Sequence, residues 1–253
     1  MILGAQLWTL RDYCKTLKDF SNTLKRVADI GYTSIQVSGT CAYEAEWLQQ
    51  ELKKNNLTCS ITHYDVNELI KNPKSVSDMH KVFNCHCIGY GGKHTRPDGY
   101  DEMISKLSGP VDELYKLGNQ FTYHHHAWEY METISDGRTV MQYLSDSFSP
   151  EQMNFTLDTY WVKYGGADVL SEIKRLSGRI ECVHLKDMLI LPNGERRMAW
   201  VGGGNCMNFE EIVSALIKSG SKYAFVEQDE CYDADPFDEL KKSYNYLTTL
   251  GLK

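Results

Sequence analysis

Short apolar runs alternate with longer amphipathic stretches along the whole chain. The apolar runs have the length typical of buried strands, and the stretches between them have the length and spacing typical of helices. The apolar runs predict eight strands, at residues 2–8, 34–37, 58–62, 87–90, 120–124, 154–158, 180–184 and 223–227. The amphipathic stretches predict eight helices, at residues 17–30, 43–55, 75–83, 100–117, 139–145, 167–176, 209–219 and 236–250.

Strict alternation of eight strands with eight helices predicts a parallel sheet, and eight parallel strands close into a barrel. An open doubly wound sheet also alternates, but it usually has fewer strands, and no GxGxxG motif follows the first strand here. No linker, low-complexity tract or helical repeat divides the sequence. We therefore predict one (β/α)8 TIM barrel domain over residues 1–253.

Composition and charge narrow the range of partners. The net charge of −7 argues against a nucleic-acid partner, because binding to phosphate backbones relies on an excess of Lys and Arg. No apolar run approaches the roughly 20 residues of a membrane span, and the N-terminal residues lack the features of a signal peptide. These features predict a cytoplasmic protein and leave its assembly into homo-oligomers open.

Eight cysteines are scattered along the chain without any CxxC pair. Several lie in predicted strands, and buried free thiols in a reducing compartment are therefore the favoured interpretation. The run Cys85-His86-Cys87 is too short for a zinc chelate of the usual kind, and it is given no function.

Polar side chains gather at the carboxyl-terminal ends of the predicted strands, where barrel enzymes carry their active sites. They are His63 after the third strand, His124, His125, His126 and Glu129 after the fifth, Asp158 after the sixth, His184, Lys186 and Asp187 after the seventh, and Glu227, Asp229 and Glu230 after the eighth. A single such residue is more often a hydrogen-bonded structural group. Four consecutive strands that each deliver a His or a carboxylate favour one divalent cation, which would be Mn²⁺, Mg²⁺, Co²⁺ or Zn²⁺.

The segments YHHHAWEY, LDTYWVKYGGADV, RIECVHLKDM and FVEQDE resemble the xylose-isomerase-like sugar isomerase/epimerase family, in the branch whose fifth strand reads YHNHxxEF. The resemblance implies that Asp158, His184 and Glu227 hold a divalent cation. It assigns the first ligand to Glu129, with His124 as the substitute because His124 occupies the strand-end position where other branches place a glutamate. The chain departs from the branch at His125, which stands where the motif has Asn.

The expected chemistry is proton transfer next to a carbonyl group. The cation would polarise a carbonyl and its neighbouring hydroxyl, with Glu227 as the general base. Lys186 and His126 are candidates for delivering the second proton or stabilising the oxyanion. For Lys186 the alternative is a purely structural role, in which it neutralises the carboxylates around it. Asp187 is expected to orient His184 or a loop.

Several residues near the predicted mouth are candidates for contacts to a small sugar or polyol. His63 and His124 can hydrogen-bond to substrate, and flat aromatic faces suit the C–H faces of sugars. Trp8, Trp128 and Trp161 are the aromatic candidates, and packing at the rim is the alternative for each. The glycine-rich run at 201–205 is expected to be either an anion cradle or a flexible lid.

Two functions fit these features. The first is a metal-dependent isomerase or epimerase that acts through an enediolate on a ketose, an aldose or a polyol-derived ketone. The alternative is a lyase on the same scaffold, such as a keto-inositol dehydratase or an enzyme that eliminates from a 3-keto-glycoside. An AP-endonuclease-like activity is disfavoured by the acidic charge, and a sugar-binding barrel without catalysis is disfavoured by the ligand set.

Overall fold

A computed structural model describes residues 1–92 and 99–253, and its eight parallel strands close into a barrel. The barrel strands are β1 (Ile2–Gln6), β2 (Ser34–Val37), β3 (Thr58–His63), β4 (Cys87–Tyr90), β5 (Gln120–His124), β6 (Asn154–Asp158), β7 (Cys182–Leu185) and β10 (Tyr223–Val226). Around the barrel they follow the order β1-β10-β7-β6-β5-β4-β3-β2. The predicted (β/α)8 architecture is confirmed.

Helices lie between the strands and cover the outside of the barrel. They are α1 (Leu17–Ile30), α2 (Ala45–Asn55), α3 (Val66–Lys71), α4 (Pro73–Val82), α5 (Gly99–Lys116), α6 (Trp128–Met131), α7 (Val140–Ser147), α8 (Thr159–Tyr164), α9 (Val169–Arg175), α10 (Phe209–Ser219) and α11 (Pro236–Thr249). In α1, the side chain of Thr16 caps the first turn by accepting from the Asp19 N–H. The residues Phe20, Leu24 and Val27 then face the core, which is the stripe that the sequence pattern predicts.

The interior of the barrel contains a small cluster made by four strands. Ile61, Cys87, Cys182 and Phe225 are fully buried and pack together. They come from β3, β4, β7 and β10, which are not all neighbours in the sheet, so they can meet only inside the barrel. Gly4 of β1 makes room for this cluster, since a Cβ atom there would lie 2.5 Å from the Phe225 ring.

Three parts of the fold differ from the sequence prediction. The first strand ends at Gln6 rather than at residue 8, because a 3-10 helix over Leu7–Tyr13 begins there and the Gln6 side chain accepts from the Trp8 N–H at 3.1 Å. The strand predicted at 180–184 is shifted to Cys182–Leu185. The antiparallel hairpin of β8 (Asp187–Ile190) and β9 (Arg196–Ala199), and the short helices α3, α6 and α8, were not predicted.

Candidate metal centre and active site

Four buried side chains meet where consecutive barrel strands end. They are His124 on β5, Asp158 on β6, His184 on β7 and Glu227 just after β10. Each offers one nitrogen or oxygen atom, and these four atoms all lie within 4.8 Å of one another. This group, called the His-Asp-His-Glu cluster below, has the donor atoms and the spacing to hold a divalent cation.

A hydrogen bond to Gln36 fixes the orientation of the His184 ring. Its Nε2–H donates to Gln36 Oε1 at 2.7 Å, so its Nδ1 faces the cluster. Nδ1 lies 3.0 Å from Glu227 Oε2, but the two do not form a hydrogen bond in good geometry, and Nδ1 is buried without a hydrogen-bond partner. Buried polar atoms without partners are rare, and a metal-bound His usually donates its second N–H to an acceptor. The residues present therefore fit a cation at this point.

The charges around the cluster also favour a bound cation. Burial disfavours the charged form of His184, but the carboxylates of Glu227 and Asp158 outweigh burial and raise the pKa of His184 to about 9. Burial opposes ionisation of Glu227 as well, but Lys186 and His184 hold its pKa well below the usual range. The carboxylates are ionised, and the cluster attracts positive charge, whether that of a proton or of a metal ion.

The two candidates for the first ligand lie in different surroundings. His124 belongs to the cluster, with its Nε2 3.3 Å from Asp158 Oδ2. Burial, and then the charge of His184, lower the pKa of His124 well below its ordinary value, so its ring is neutral. Among the described residues, Glu129 is not part of the cluster. Glu129 is buried and accepts from the Tyr123 hydroxyl at 2.6 Å and from the His126 N–H at 2.8 Å.

Lys186 is buried among three carboxylates. Its Nζ lies 2.8 Å from Glu227 Oε2, 3.1 Å from Asp158 Oδ2 and 2.9 Å from Asp229 Oδ1. Burial disfavours the ammonium form, but Asp158, Asp229 and Glu227 outweigh it and raise the pKa of Lys186 well above its ordinary value. The ammonium group therefore neutralises the carboxylates of the cluster, as expected if Lys186 has a structural role.

A cavity of about 300 Å³ opens above the cluster at the carboxyl-terminal mouth of the barrel. This volume is at the small end for ligand pockets and suits a molecule of monosaccharide size. The cavity is lined by Trp8, Ser38, His63, Gly91, His124, His126, Trp161, Lys186, Glu227 and Asp229. It thus includes most of the predicted substrate contacts, while Trp128 lies behind the lining and stacks on the His126 ring with centroids 4.3 Å apart.

The two sides of the cavity differ in chemistry. His63, His124 and His126 come from β3 and from the end of β5, and their rings lie close together. Burial lowers the pKa of His63 to about 3 and that of His126 to about 4, so this side is uncharged at neutral pH. We call it the imidazole wall. Lys186, Glu227 and Asp229, which follow β7 and β10, form the charged wall.

Some residues at the cavity were missed or given no role in the sequence analysis. Ser38, which directly follows β2, lies 3.2 Å from His63 Nδ1, and Gly91 directly follows β4. Gln36 orients His184 from β2, on the far side of the barrel. The rule that active sites lie at strand ends could have found Ser38 and Gly91. No sequence pattern indicated a role for Gln36, because its hydrogen-bond partner His184 is 148 residues away in the sequence.

Asp187 holds a loop rather than His184. Its carboxylate accepts from the N–H groups of Gly202 at 2.9 Å, Gly204 at 3.0 Å and Met188 at 2.7 Å. A Cβ atom at Gly204 would collide with the Asp187 carboxylate. The glycine-rich run at 201–205 is therefore neither a free lid nor an anion cradle, because the N–H groups of Gly202 and Gly204 already have an acceptor.

Residues 24–250 match the family described as the xylose isomerase-like TIM barrel, and the chain belongs to that family. An inosose dehydratase of Mesomycoplasma hyopneumoniae (strain 7448) is 23% identical over 289 aligned positions, which cover 96% of this chain and 93% of that protein. Family members of this kind are enzymes that act on small sugars or polyols.

Solved structures share the fold. A sugar phosphate isomerase/epimerase from Parabacteroides distasonis ATCC 8503 superposes with a TM-score of 0.81 at 20% identity, covering 97% of this chain and 92% of that one. A xylose isomerase-like TIM barrel protein from Mycobacterium smegmatis, in complex with magnesium, superposes with a TM-score of 0.74 at 14% identity, covering 98% and 95%. Within the described ranges, no helix has the length and apolarity needed to cross a membrane.

Proposed function

We propose that the protein is a divalent-metal-dependent lyase that removes water from a small polyhydroxylated ketone. The observation that carries the proposal is the His-Asp-His-Glu cluster at the floor of a cavity of about 300 Å³, with charged groups on one wall and neutral imidazoles on the other. When bound to the cluster, the cation would polarise the carbonyl group and the hydroxyl beside it.

The charged wall would carry out the proton transfers. Glu227 is ionised and lines the cavity, so it can accept the proton from the carbon next to the carbonyl group. The Lys186 ammonium group lies 2.8 Å from Glu227 Oε2 and can deliver a proton to the departing hydroxyl group. The imidazole wall would hold the other hydroxyl groups through hydrogen bonds, since His63 Nε2 and His126 Nδ1 are buried without a partner.

The chemical difference between the charged wall and the imidazole wall favours elimination of water over epimerisation. An epimerase must return a proton to the opposite face of the substrate, and the imidazole wall has little tendency to hold a proton at neutral pH. A lyase needs a base and an acid near the same two carbons, which the charged wall provides. Two relatives named inosose dehydratases, each aligned over 96% of this chain, support the same outcome. An isomerase would share the first step.

Proton NMR in D2O tests the proposal. Metal-free protein, reloaded with Mg²⁺ or Mn²⁺, is mixed with keto-inositols, 3-keto-glycosides and ketoses. We expect metal-dependent loss of water, seen as new vinylic or enol signals. Deuterium exchange next to the carbonyl, with all hydroxyl groups retained, would instead identify an isomerase or epimerase. The absence of both reactions, with metal bound, would contradict the proposal for these substrates.

We also propose that His124 rather than Glu129 is the first metal ligand. We expect His124→Asn to weaken Mn²⁺ binding by about 10–100-fold or more, because even the loss of a residue that only supports a metal ligand lowers metal affinity by that factor. Glu129→Gln should change the affinity by less than threefold, and it should lower the free energy of unfolding by about 1–3 kcal/mol through its buried hydrogen bonds. Calorimetric titration with Mn²⁺ measures both variants, and the reverse order of affinities would restore Glu129 as the ligand.

A further inference from the structure

Two strands bring a second set of metal-binding side chains together at the opposite end of the barrel. His86 and Cys87 lie at the start of β4, and Glu181 and Cys182 lie at the start of β7. The ligand atoms of His86, Cys87 and Glu181 all lie within 4.8 Å of one another. Cys87 and Cys182 pack together in the buried cluster inside the barrel.

His86 is already oriented as a ligand would be. Its Nδ1–H donates to the carbonyl oxygen of Gly118 at 3.0 Å, and its Nε2 points to Glu181, with 3.9 Å between Nε2 and Oε1. A hydrogen bond from the second ring nitrogen to a carbonyl group is the arrangement that fixes metal-bound histidines. About half of the His86 side chain is exposed, so an ion can reach this point from solvent.

Lys222 is the counter-ion of Glu181 in the absence of a metal ion. Its Nζ lies 2.8 Å from Glu181 Oε1, while 62% of its side chain is exposed. Because most of the Lys222 side chain is exposed while Glu181 is buried, Lys222 can move into solvent when an incoming cation takes over its charge beside the Glu181 carboxylate.

We propose that His86, Cys87 and Glu181 form a second metal site, which takes a soft divalent cation of the Zn²⁺ type. Binding would form one sulfur–metal bond and release the thiol proton of Cys87 to solvent. Thiolates select Zn²⁺, whereas the nitrogen and oxygen donors of the His-Asp-His-Glu cluster also suit Mg²⁺ and Mn²⁺.

The place of this site in the barrel indicates a stabilising role. Residues at the amino-terminal ends of barrel strands contribute to stability, whereas the opposite end carries the chemistry. β4 and β7 are separated in the barrel by β5 and β6. A cation held by both strands would connect them directly across the interior. We therefore expect Zn²⁺ to raise the melting temperature without being needed for turnover.

Cobalt(II) is the probe that separates the two sites, because cobalt bound to thiolate has a charge-transfer band in the near ultraviolet. The cluster at the carboxyl-terminal mouth has no sulfur ligand, so this band reports only the second site, whatever the protein's activity. Metal-free protein, kept reduced, is titrated with Co²⁺. We expect the band in the wild type, its loss in Cys87→Ser, and more than tenfold weaker binding in His86→Gln.

Cys206→Ser is the matched control, because this thiol lies near the hairpin loop and should leave the band unchanged. His86→Gln changes a half-exposed side chain, so it keeps the test valid even if the buried Cys87→Ser variant does not fold. The absence of a thiolate band at Co²⁺ concentrations that fill the other site would overturn the proposal. A band that persists at full strength in His86→Gln and in Cys87→Ser would overturn it as well.

Discussion

Replacing Glu227 with Gln should lower turnover by about 10²–10⁴-fold, the usual contribution of a general base. The same change should weaken divalent-metal binding, because Glu227 Oε2 lies within the His-Asp-His-Glu cluster, 3.0 Å from His184 Nδ1. The amide keeps the size of the side chain but carries no charge and cannot accept the proton. The loss of turnover should therefore persist at saturating Mn²⁺. Steady-state kinetics at several metal concentrations separate the two effects.

Glu230→Gln is the matched control for this experiment. Glu230 lies three residues further along the same loop, its side chain is 65% exposed, and its only ion pair is a 3.4 Å contact with Arg11 among the described residues. We expect Glu230→Gln to keep both metal affinity and turnover close to the wild type. If Glu227→Gln with metal bound also has nearly normal turnover, Glu227 is not the base.

Replacing Lys186 with Met should destabilise the metal-free protein by about 3–5 kcal/mol, because removal of one member of a buried ion pair leaves the other charges uncompensated. Asp158, Glu227 and Asp229 all lie within 3.1 Å of the ammonium group that this change removes. A divalent cation should then restore much of the stability, since it replaces the lost positive charge. The metal-induced rise in melting temperature should be larger than in the wild type.

Turnover distinguishes the two roles of Lys186. If the ammonium group only neutralises carboxylates, Lys186→Met should regain activity once metal is bound. If it delivers a proton, turnover should stay low at every metal concentration, which is the result we expect. Lys25→Met serves as the control, because Lys25 forms an exposed pair with Asp29 on α1, and such pairs contribute little. An equal stability of Lys186→Met and Lys25→Met without metal would contradict the electrostatic account.

Charge balance explains why Lys186 affects both stability and metal binding. The cluster contains two carboxylates, those of Asp158 and Glu227, and two imidazoles. Lys186 sits beside both carboxylates and is itself held by Asp229 on the other side. A cation that enters the cluster would repel the ammonium group toward Asp229. Metal binding and the position of Lys186 are therefore expected to be linked.

Much of the fold could be predicted from local patterns. The alternation of apolar and amphipathic segments predicted every barrel strand. Strands and helices each bury side chains at a regular spacing, and the apolar residues in the sequence follow that spacing. The same pattern placed Asp158, His184 and Glu227 at strand ends, and parallel strands bring their ends to one rim. The errors lie at boundaries and in short elements, such as the 3-10 helix at Leu7–Tyr13 and the hairpin after β7. There a few side-chain hydrogen bonds override the period.

Only the tertiary structure decided which side chains share a site. The sequence resemblance assigned the first ligand to Glu129, with His124 as the substitute, but His124 lines the cavity whereas Glu129 is hydrogen-bonded to Tyr123. Gln36 and His184 are 148 residues apart, and so are joined only by closure of the barrel. The run Cys85-His86-Cys87 was given no function from sequence, but barrel closure places Glu181 beside His86 and Cys87, with their ligand atoms within 4.8 Å of one another. Local sequence determines the type and order of the elements, whereas contacts between distant strands depend on barrel closure and side-chain direction, which no local pattern contains.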